Sequence, residues 1–214
     1  CTVSASAVVN DTVKVGLRYG SSALSAANLE NAVGSGYSFG YFDSNRSFVS
    51  LGNTDKTAIT MNAVSGQYSI QLSGTYSACS AAAQAAAAYS GYPAYLNGVY
   101  YAQVGMYTTA AAAESAKTSL GISGTVVSTS STAVRVTETA SGTSLFLFDY
   151  SGLMSLGVLP NGQGSASTTW FKGYRYYGGF EYQRITGGNL SVINVVNLED
   201  YVKGVVPYEM NGAW

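Results

Sequence analysis

Apolar and polar positions alternate at the start of the chain. In TVKVGLRY, Thr12 to Tyr19, the residues Val13, Val15 and Leu17 are separated by polar or small ones, which predicts a half-buried strand. Between Asn28 and Met61, short strands are expected around Tyr37 to Phe42 and Ser47 to Leu51, with Gly-rich and Asn/Asp turns between them. Ala133 to Asp149, AVRVTETASGTSLFLFD, predicts a hairpin that turns at Ser141-Gly142 and points Val134, Val136, Leu145 and Leu147 inward. Near the end, the apolar run Val192 to Val196 predicts a strand, and Leu198, Glu199, Asp200 and Tyr201 open a short turn or helix. Gly204 and Pro207 then punctuate the chain, so Glu209 is expected at the end of a stiff, crowded loop. Crowding of that kind raises a carboxyl pKa.

The pattern changes between Gly66 and Ser130, where QYSIQLSGTYSACSAAAQAA echoes VYYAQVGMYTTAAAAESAKT. Each copy reads as a Tyr-containing strand, a Gly turn and an Ala-rich helix capped by Ser or Thr. With helices at Ala78 to Tyr89 and Thr109 to Leu120, and further strands at Tyr92 to Leu96 and Thr125 to Ser130, the order is β-α-β-β-α-β, the split pattern of a small ferredoxin-like module. The chain is thus expected to be α+β: a tail over 1–11, a β-rich domain begun by 12–65 and resumed by 131–214, and the inserted module over 66–130. If Ile70 and Leu72 face the helices, Ser69 and Gln71 point away from them; likewise Tyr100, Ala102 and Val104 face inward and Tyr101 and Gln103 outward. Gln71, Tyr101 and Gln103 are therefore candidate ligand-binding residues on an open sheet face, with a merely solubilising role as the alternative.

Composition narrows the chemistry. Charged residues are only 10% of the 214, the net charge is −1 and there are 18 Tyr, a balance that suits an exported or envelope protein and offers no basic footprint for nucleic acid. There is no His, which removes His-dependent triads and metal sites, and two Cys cannot build a zinc site alone; no cofactor is expected. Cys79 falls in an Ala-rich helix, where a buried thiol is favoured over pairing with Cys1. No apolar run reaches the eighteen or so residues of a membrane span. Ala5-Ser6-Ala7 has the A-x-A form found at the end of a secretory signal peptide, the alternative being an unstructured terminus.

From Leu190 to Met210 the chain resembles the SpoIID/LytB family, the domain of stage II sporulation protein D. Leu190, Val192, Ile193, Asn194, Val196, Leu198, Glu199, Tyr201, Gly204, Val205, Val206, Glu209 and Met210 fit its pattern, and Val13, Val15, Gly16 and Leu17 resemble its opening strand. The resemblance implies a lytic transglycosylase in which Glu209 is the catalytic acid, and a chain that stops short of the next helix found in resembling proteins. Such an enzyme needs one carboxyl group, whereas a glycoside hydrolase ordinarily needs two; Glu199 and Asp200 suit a helix start better than a second catalytic role. Tyr174-Arg175 with Gly178 and Gly179 approximates a further strand of the family. Tyr176 and Tyr177 are candidate sugar platforms there, although the same rings also suit a core.

Residues 66–130 resemble a SPOR domain, which binds peptidoglycan glycan strands stripped of their peptides. The likeness rests on Y-x-x-Q ahead of a Gly, on Gly91 to Tyr95, and on Tyr101-Ala102-Gln103-Val104-Gly105-Met106-Tyr107; Leu72-Ser73-Gly74 departs from it by one extra residue before Gly. Together the resemblances imply a bacterial, exported protein acting on peptidoglycan glycan strands. The alternatives are a non-catalytic binding module or an enhancer of a cell-wall amidase, with sporulation envelope proteins as further partners.

Overall fold

The computed structural model describes residues 11–152, 154–162, 168–185 and 188–209, with the backbone alone for 205–209. In chain order its elements are β1 (Thr12–Arg18), β2 (Ala26–Glu30), β3 (Tyr37–Phe42), β4 (Phe48–Thr54), β5 (Ala58–Ala63), β6 (Tyr68–Leu72), α1 (Cys79–Ala87), β7 (Tyr92–Leu96), β8 (Val99–Tyr107) and α2 (Ala110–Ser119). There follow β9 (Gly124–Ser128), β10 (Val134–Glu138), β11 (Ser144–Asp149), β12 (Leu156–Pro160), β13 (Thr168–Phe171), β14 (Tyr174–Tyr177), β15 (Gly179–Arg184), β16 (Leu190–Asn197) and α3 (Leu198–Glu209). The fold is a β-rich α+β one, as the alternating runs imply.

The strands form two sheets. One is antiparallel throughout, in the order β1-β16-β15-β12-β3-β4. The other runs β14-β13-β2-β5-β10-β11-β7-β8-β6-β9 and holds one parallel pair, β11 with β7. Phe39, Leu156, Val158, Phe180, Tyr182 and Val192 of the first sheet pack on Ile59, Met61, Val136, Phe146 and Phe148 of the second in one core. Phe39 and Phe146 stack across it, their ring centroids 5.4 Å apart. Each such fully buried side chain contributes about 2–3 kcal/mol.

The hairpin of β10 and β11 forms where expected, but its inward set differs. Val134 pairs with Phe148 and Val136 with Phe146, and all four enter the main core. Leu147 points to the opposite face, into a second cluster with Tyr92, Ala94, Val64 and Ala133. A strand buried on both faces is apolar throughout, so alternation cannot say which set belongs to which side.

The expected order β-α-β-β-α-β is present over 68–128, and its strands lie β9-β6-β8-β7 with α1 and α2 against them. Thr109 caps α2, its Oγ1 accepting from Ala112 N at 3.2 Å. The expected Ser/Thr cap of α1 is absent: the helix starts at Cys79, so the N-cap is Ala78 and Ser77 lies one residue too early.

This sheet does not stand alone. β5 passes into β6 through residues 64–67 and β9 into β10 through 129–133, and the two links hydrogen-bond each other, Val64 N to Ala133 O at 3.2 Å and Thr129 N to Gln67 O at 2.8 Å. Arg184 fastens the link region by donating from Nη1 to the carbonyls of Val64, at 2.8 Å, and Ala133. In a flat sheet β5 and β6 would stand five strand spacings, about 24 Å, apart, more than the ~17 Å that the link can span. The sheet therefore curls, and the face of β6 and β8 turned away from the helices is concave and meets β11. The expected boundaries at 66 and 130 fall in these links.

Candidate functional site

The turn from β16 into α3 is fixed by local bonds. Asn197 Oδ1 accepts from Glu199 N at 2.9 Å, and Leu198 N donates to Asp11 O at 2.6 Å. Glu199 and Asp200 occupy the first turn, where the helix dipole favours carboxylates, and Lys203 Nζ meets Asp200 Oδ1 at 3.0 Å. The loop expected after Tyr201 is instead helix: α3 continues through Gly204 and Pro207 to Glu209. Pro207 removes one i→i−4 hydrogen bond but stands close to the helix end. The pattern Leu198, Tyr201, Val202, Val205 keeps a helical spacing across Gly204. Glu209 is thus the last helical residue by its backbone; its side chain, like Met210, lies outside the described residues.

Beside this helix stands the hairpin of β13 and β14. Phe171 pairs with Tyr174 across Lys172 and Gly173, whose φ values of 51° and 85° make the two-residue turn that matches strand twist. Tyr176 packs against Phe171 and Phe180, at ring distances of 6.3 and 5.9 Å, and burial raises its pKa, opposed by the nearby Arg18 charge. Tyr177 is more exposed. After it, Gly178 takes φ 76°, and a Cβ there would come within 2.4 Å of Val195 O. Buried Asn194 fixes this bend: its Nδ2 donates to Tyr177 O and Gly179 O, both at 2.9 Å.

These elements enclose a cavity of about 360 Å³. Val15 and Leu17 of β1 form one wall, Tyr174 to Tyr177 of β14 a second, Asn194 and Val196 of β16 a third, and Asp200, Tyr201 and Gly204 of α3 the fourth. Tyr176 and Tyr177 therefore both line the cavity, Tyr176 being also part of the core behind it. Asn194 and Tyr201 were legible only as members of the motif. A lone amide inside an apolar strand run was the signal for Asn194, because a buried amide must find partners.

Gln71, Tyr101 and Gln103 are not brought here; β6 and β8 lie at the opposite end of the ten-strand order from β14. Alternation is right about their side of the sheet. Gln71 and Gln103 are direct cross-strand partners, Gln103 Nε2 donating to Gln71 Oε1 at 3.2 Å, and Tyr101 pairs with Ala94 on the same face. That face is not open at Gln103, which is 2% exposed. Leu147 and Asp149 of β11 and Val127 to Thr129 close over Gln103, leaving a cavity of about 80 Å³ that the half-buried Gln71 also lines. Curling of the shared sheet is the cause. Asp149 is held at its rim by Ser130 and Thr132, which donate to its carboxylate.

Cys79 is a free, half-buried thiol seated against Gly52, and burial pushes its pKa up to about 11. Among the described residues, no helix is long and apolar enough to cross a membrane.

The SpoIID family model, described as stage II sporulation protein, matches residues 186–214. The matched SpoIID segment supplies β16 and α3, two of the four cavity walls. It supports SpoIID membership and, at family level, a sporulation-related cell-wall function. No curated protein and no solved structure matches the chain.

Proposed function

We propose that this chain forms the glycan-binding, acid-bearing part of a SpoIID-type lytic transglycosylase, which cleaves peptidoglycan glycan strands freed of their peptides outside the bacterial cytoplasm. The observation that carries the reading is the cavity itself: the SpoIID-matching strand and helix wall it together with Tyr176 and Tyr177. Tyrosine rings cover the apolar face of a sugar, and the amide and phenol groups around them bond its hydroxyl and acetamido groups without charge. Glu209 ends the helix whose first turns wall the cavity, five residues beyond Gly204. At 1.5 Å of rise per residue that is about 7.5 Å along the axis.

In this reading the protonated Glu209 carboxyl gives its proton to the glycosidic oxygen as the C1–O bond breaks. The sugar's own C6 hydroxyl oxygen bonds to C1, and its proton returns to the Glu209 carboxylate. No water is consumed, an anhydro sugar is left, and one carboxyl group serves as acid and then base. The inserted module is in this proposal a ferredoxin-like, SPOR-like unit, a reading supported by its element and strand order. Because Gln103 is enclosed, Gln71 and Tyr101 are the residues through which it would add contacts to a glycan. An amidase or a sporulation envelope protein would be the partner that supplies peptide-free strands.

The test is Glu209→Gln in the protein that carries this chain, with mass spectrometry of digested peptide-free glycan. Anhydro products should fall by roughly a hundredfold or more. Parental yield from the folded variant would refute catalysis by Glu209, and a variant that still binds glycan without cleaving it separates binding from chemistry.

A further inference from the structure

Arg175 belongs to the cavity wall and Arg18 stands on the strand beside it, and neither forms an ion pair among the described residues. Arg175 lies on the exposed side of β14, and its guanidinium sits 5.1 Å above the ring of Trp170, its cross-strand partner. Stacking holds the plane of the guanidinium while leaving its N–H edge free to bond, so little side-chain freedom is lost when an anion arrives. Arg18 is not itself part of the lining, but it directly follows Leu17, which is. Val13 pairs with Val196 and Val15 with Asn194, which places alternate residues of β1 on the cavity side, and simple alternation would send Arg18 to the other face. Leu17 lines the cavity by the same alternation, and a register shift between Gly16 and Arg18 then breaks it, so that Arg18 pairs with inward-facing Val192. Its charge is felt at the Tyr176 hydroxyl. Bulges that re-aim a side chain are concentrated beside binding sites.

The surrounding charge sharpens the contrast. Asp200, the acid in the cavity wall, is already paired with Lys203. Lys14, Lys56 and Lys117 are likewise matched to carboxylates, whereas the arginines, Arg18 and Arg175 with Arg46, Arg135 and Arg184, form no ion pair among the described residues. What sets Arg175 apart is its place, in a wall lined by Tyr174, Tyr176, Tyr177 and Tyr201. Aromatic faces take a sugar ring, and a planar fork of N–H donors takes a carboxylate in two parallel bonds.

We propose that Arg175 in the wall, with Arg18 on the strand beside it, makes this cavity selective for saccharides that carry a free carboxylate over neutral ones. The proposal rests on the glycan reading of the cavity and names what that reading leaves open, namely how bare strands are told from substituted ones. In a muramyl residue the lactyl carboxylate is an anion only when no peptide is amide-linked to it. Removing the peptide therefore creates the group that the two arginines would bind, and a peptide-bearing strand presents a neutral amide there.

Equilibrium binding of three soluble tetrasaccharides tests this: one of alternating N-acetylglucosamine and N-acetylmuramic acid, the same compound with its lactyl carboxylates converted to methylamides, and the N-acetylglucosamine tetramer. The parent protein should prefer the carboxylate form over the methylamide by roughly fivefold to tenfold at low salt, with the preference shrinking as salt is raised. In Arg18→Gln and Arg175→Gln the ratio should fall toward one, and Arg175→Lys, which keeps charge but loses the fork, should fall between. Equal affinity of the parent for the acid and the methylamide would overturn the proposal while leaving a glycan site standing. Failure of the parent to bind any of the three would overturn the glycan reading and this proposal with it. The parent comparison needs no variant, so a substitution that impairs folding does not remove the test.

Discussion

Replacing Asn194 should loosen the cavity from behind. Its Nδ2 bonds Tyr177 O and Gly179 O, both at 2.9 Å, and the side chain is 4% exposed. Asn194→Leu keeps the volume but leaves two carbonyls at the bend without their donor. An unmatched buried acceptor costs about 1–3 kcal/mol, and the apolar surface gained offsets part of the two losses, so the net destabilisation is about 2–4 kcal/mol. For a chain of this length that lowers Tm by roughly 5–15 °C. Asn194→Asp separates bond loss from mere bulk. The carboxylate it introduces would, once ionised, face two carbonyl oxygens, so its folded pKa must rise above the unfolded value. Both states bind the proton alike below the unfolded pKa, and as pH rises toward the folded pKa the unfolded chain ionises first, so stability falls. The Asp variant should be closer to the parent in mild acid than at neutral pH, whereas the Leu variant should keep the same deficit at both. Urea unfolding followed by circular dichroism at the two pH values measures this. A Leu variant within about 0.5 kcal/mol of the parent, or an Asp variant whose deficit does not grow with pH, would refute the clamp.

Burial raises the pKa of Tyr37, Tyr92 and Tyr100 to about 12 from 10.0. These phenols should stay protonated while exposed ones ionise. A raised folded pKa means that stability is unaffected below the unfolded value and falls as pH rises toward 12; a phenolate absorbance titration that reveals no late-titrating class would contradict this. Gly178→Ala forces a Cβ to within 2.4 Å of Val195 O at φ 76° and should cost about 2–3 kcal/mol or more. Gly142→Ala, with φ 70° but nothing within 4 Å, should cost only about 1 kcal/mol; equal losses in thermal unfolding would show that crowding at Gly178 is not the cause. Cys79, half-buried and with a pKa of about 11, should be alkylated far more slowly in the folded protein than in urea. Peptide mapping that shows equal rates would place the thiol in solvent.

Local sequence was enough to set many of the elements, though not β2, β5, β12 or the length of α3. Periodicity located β1, β3, the β10–β11 hairpin and β16, and the repeated Tyr-strand and Ala-helix units set the order of β6 to β9. The run Leu190 to Glu209 carried the matched segment, and the aromatic hairpin before it supplied Tyr176 and Tyr177, which do share a cavity with that segment. These features are legible because they depend on neighbours within a few residues. Which faces are covered was settled only by the closing of the sheets. Gln103 alternates to the side away from the helices, as its position in β8 requires, yet it is enclosed because β7 pairs with β11 and the curl brings β11 over it. Leu147 turns from the main core for the same reason. Arg18 stands opposite inward-facing Val192 only through a shift in register against β16, a property of the pair and not of either strand. Gly204 and Pro207 are local stop signals, and α3 overrides both because it packs on β14, β16 and β1, contacts made by strands far away in the chain. A residue's own neighbours fix its conformational preference, but which surface loses water is set by chain segments that meet only in the folded molecule.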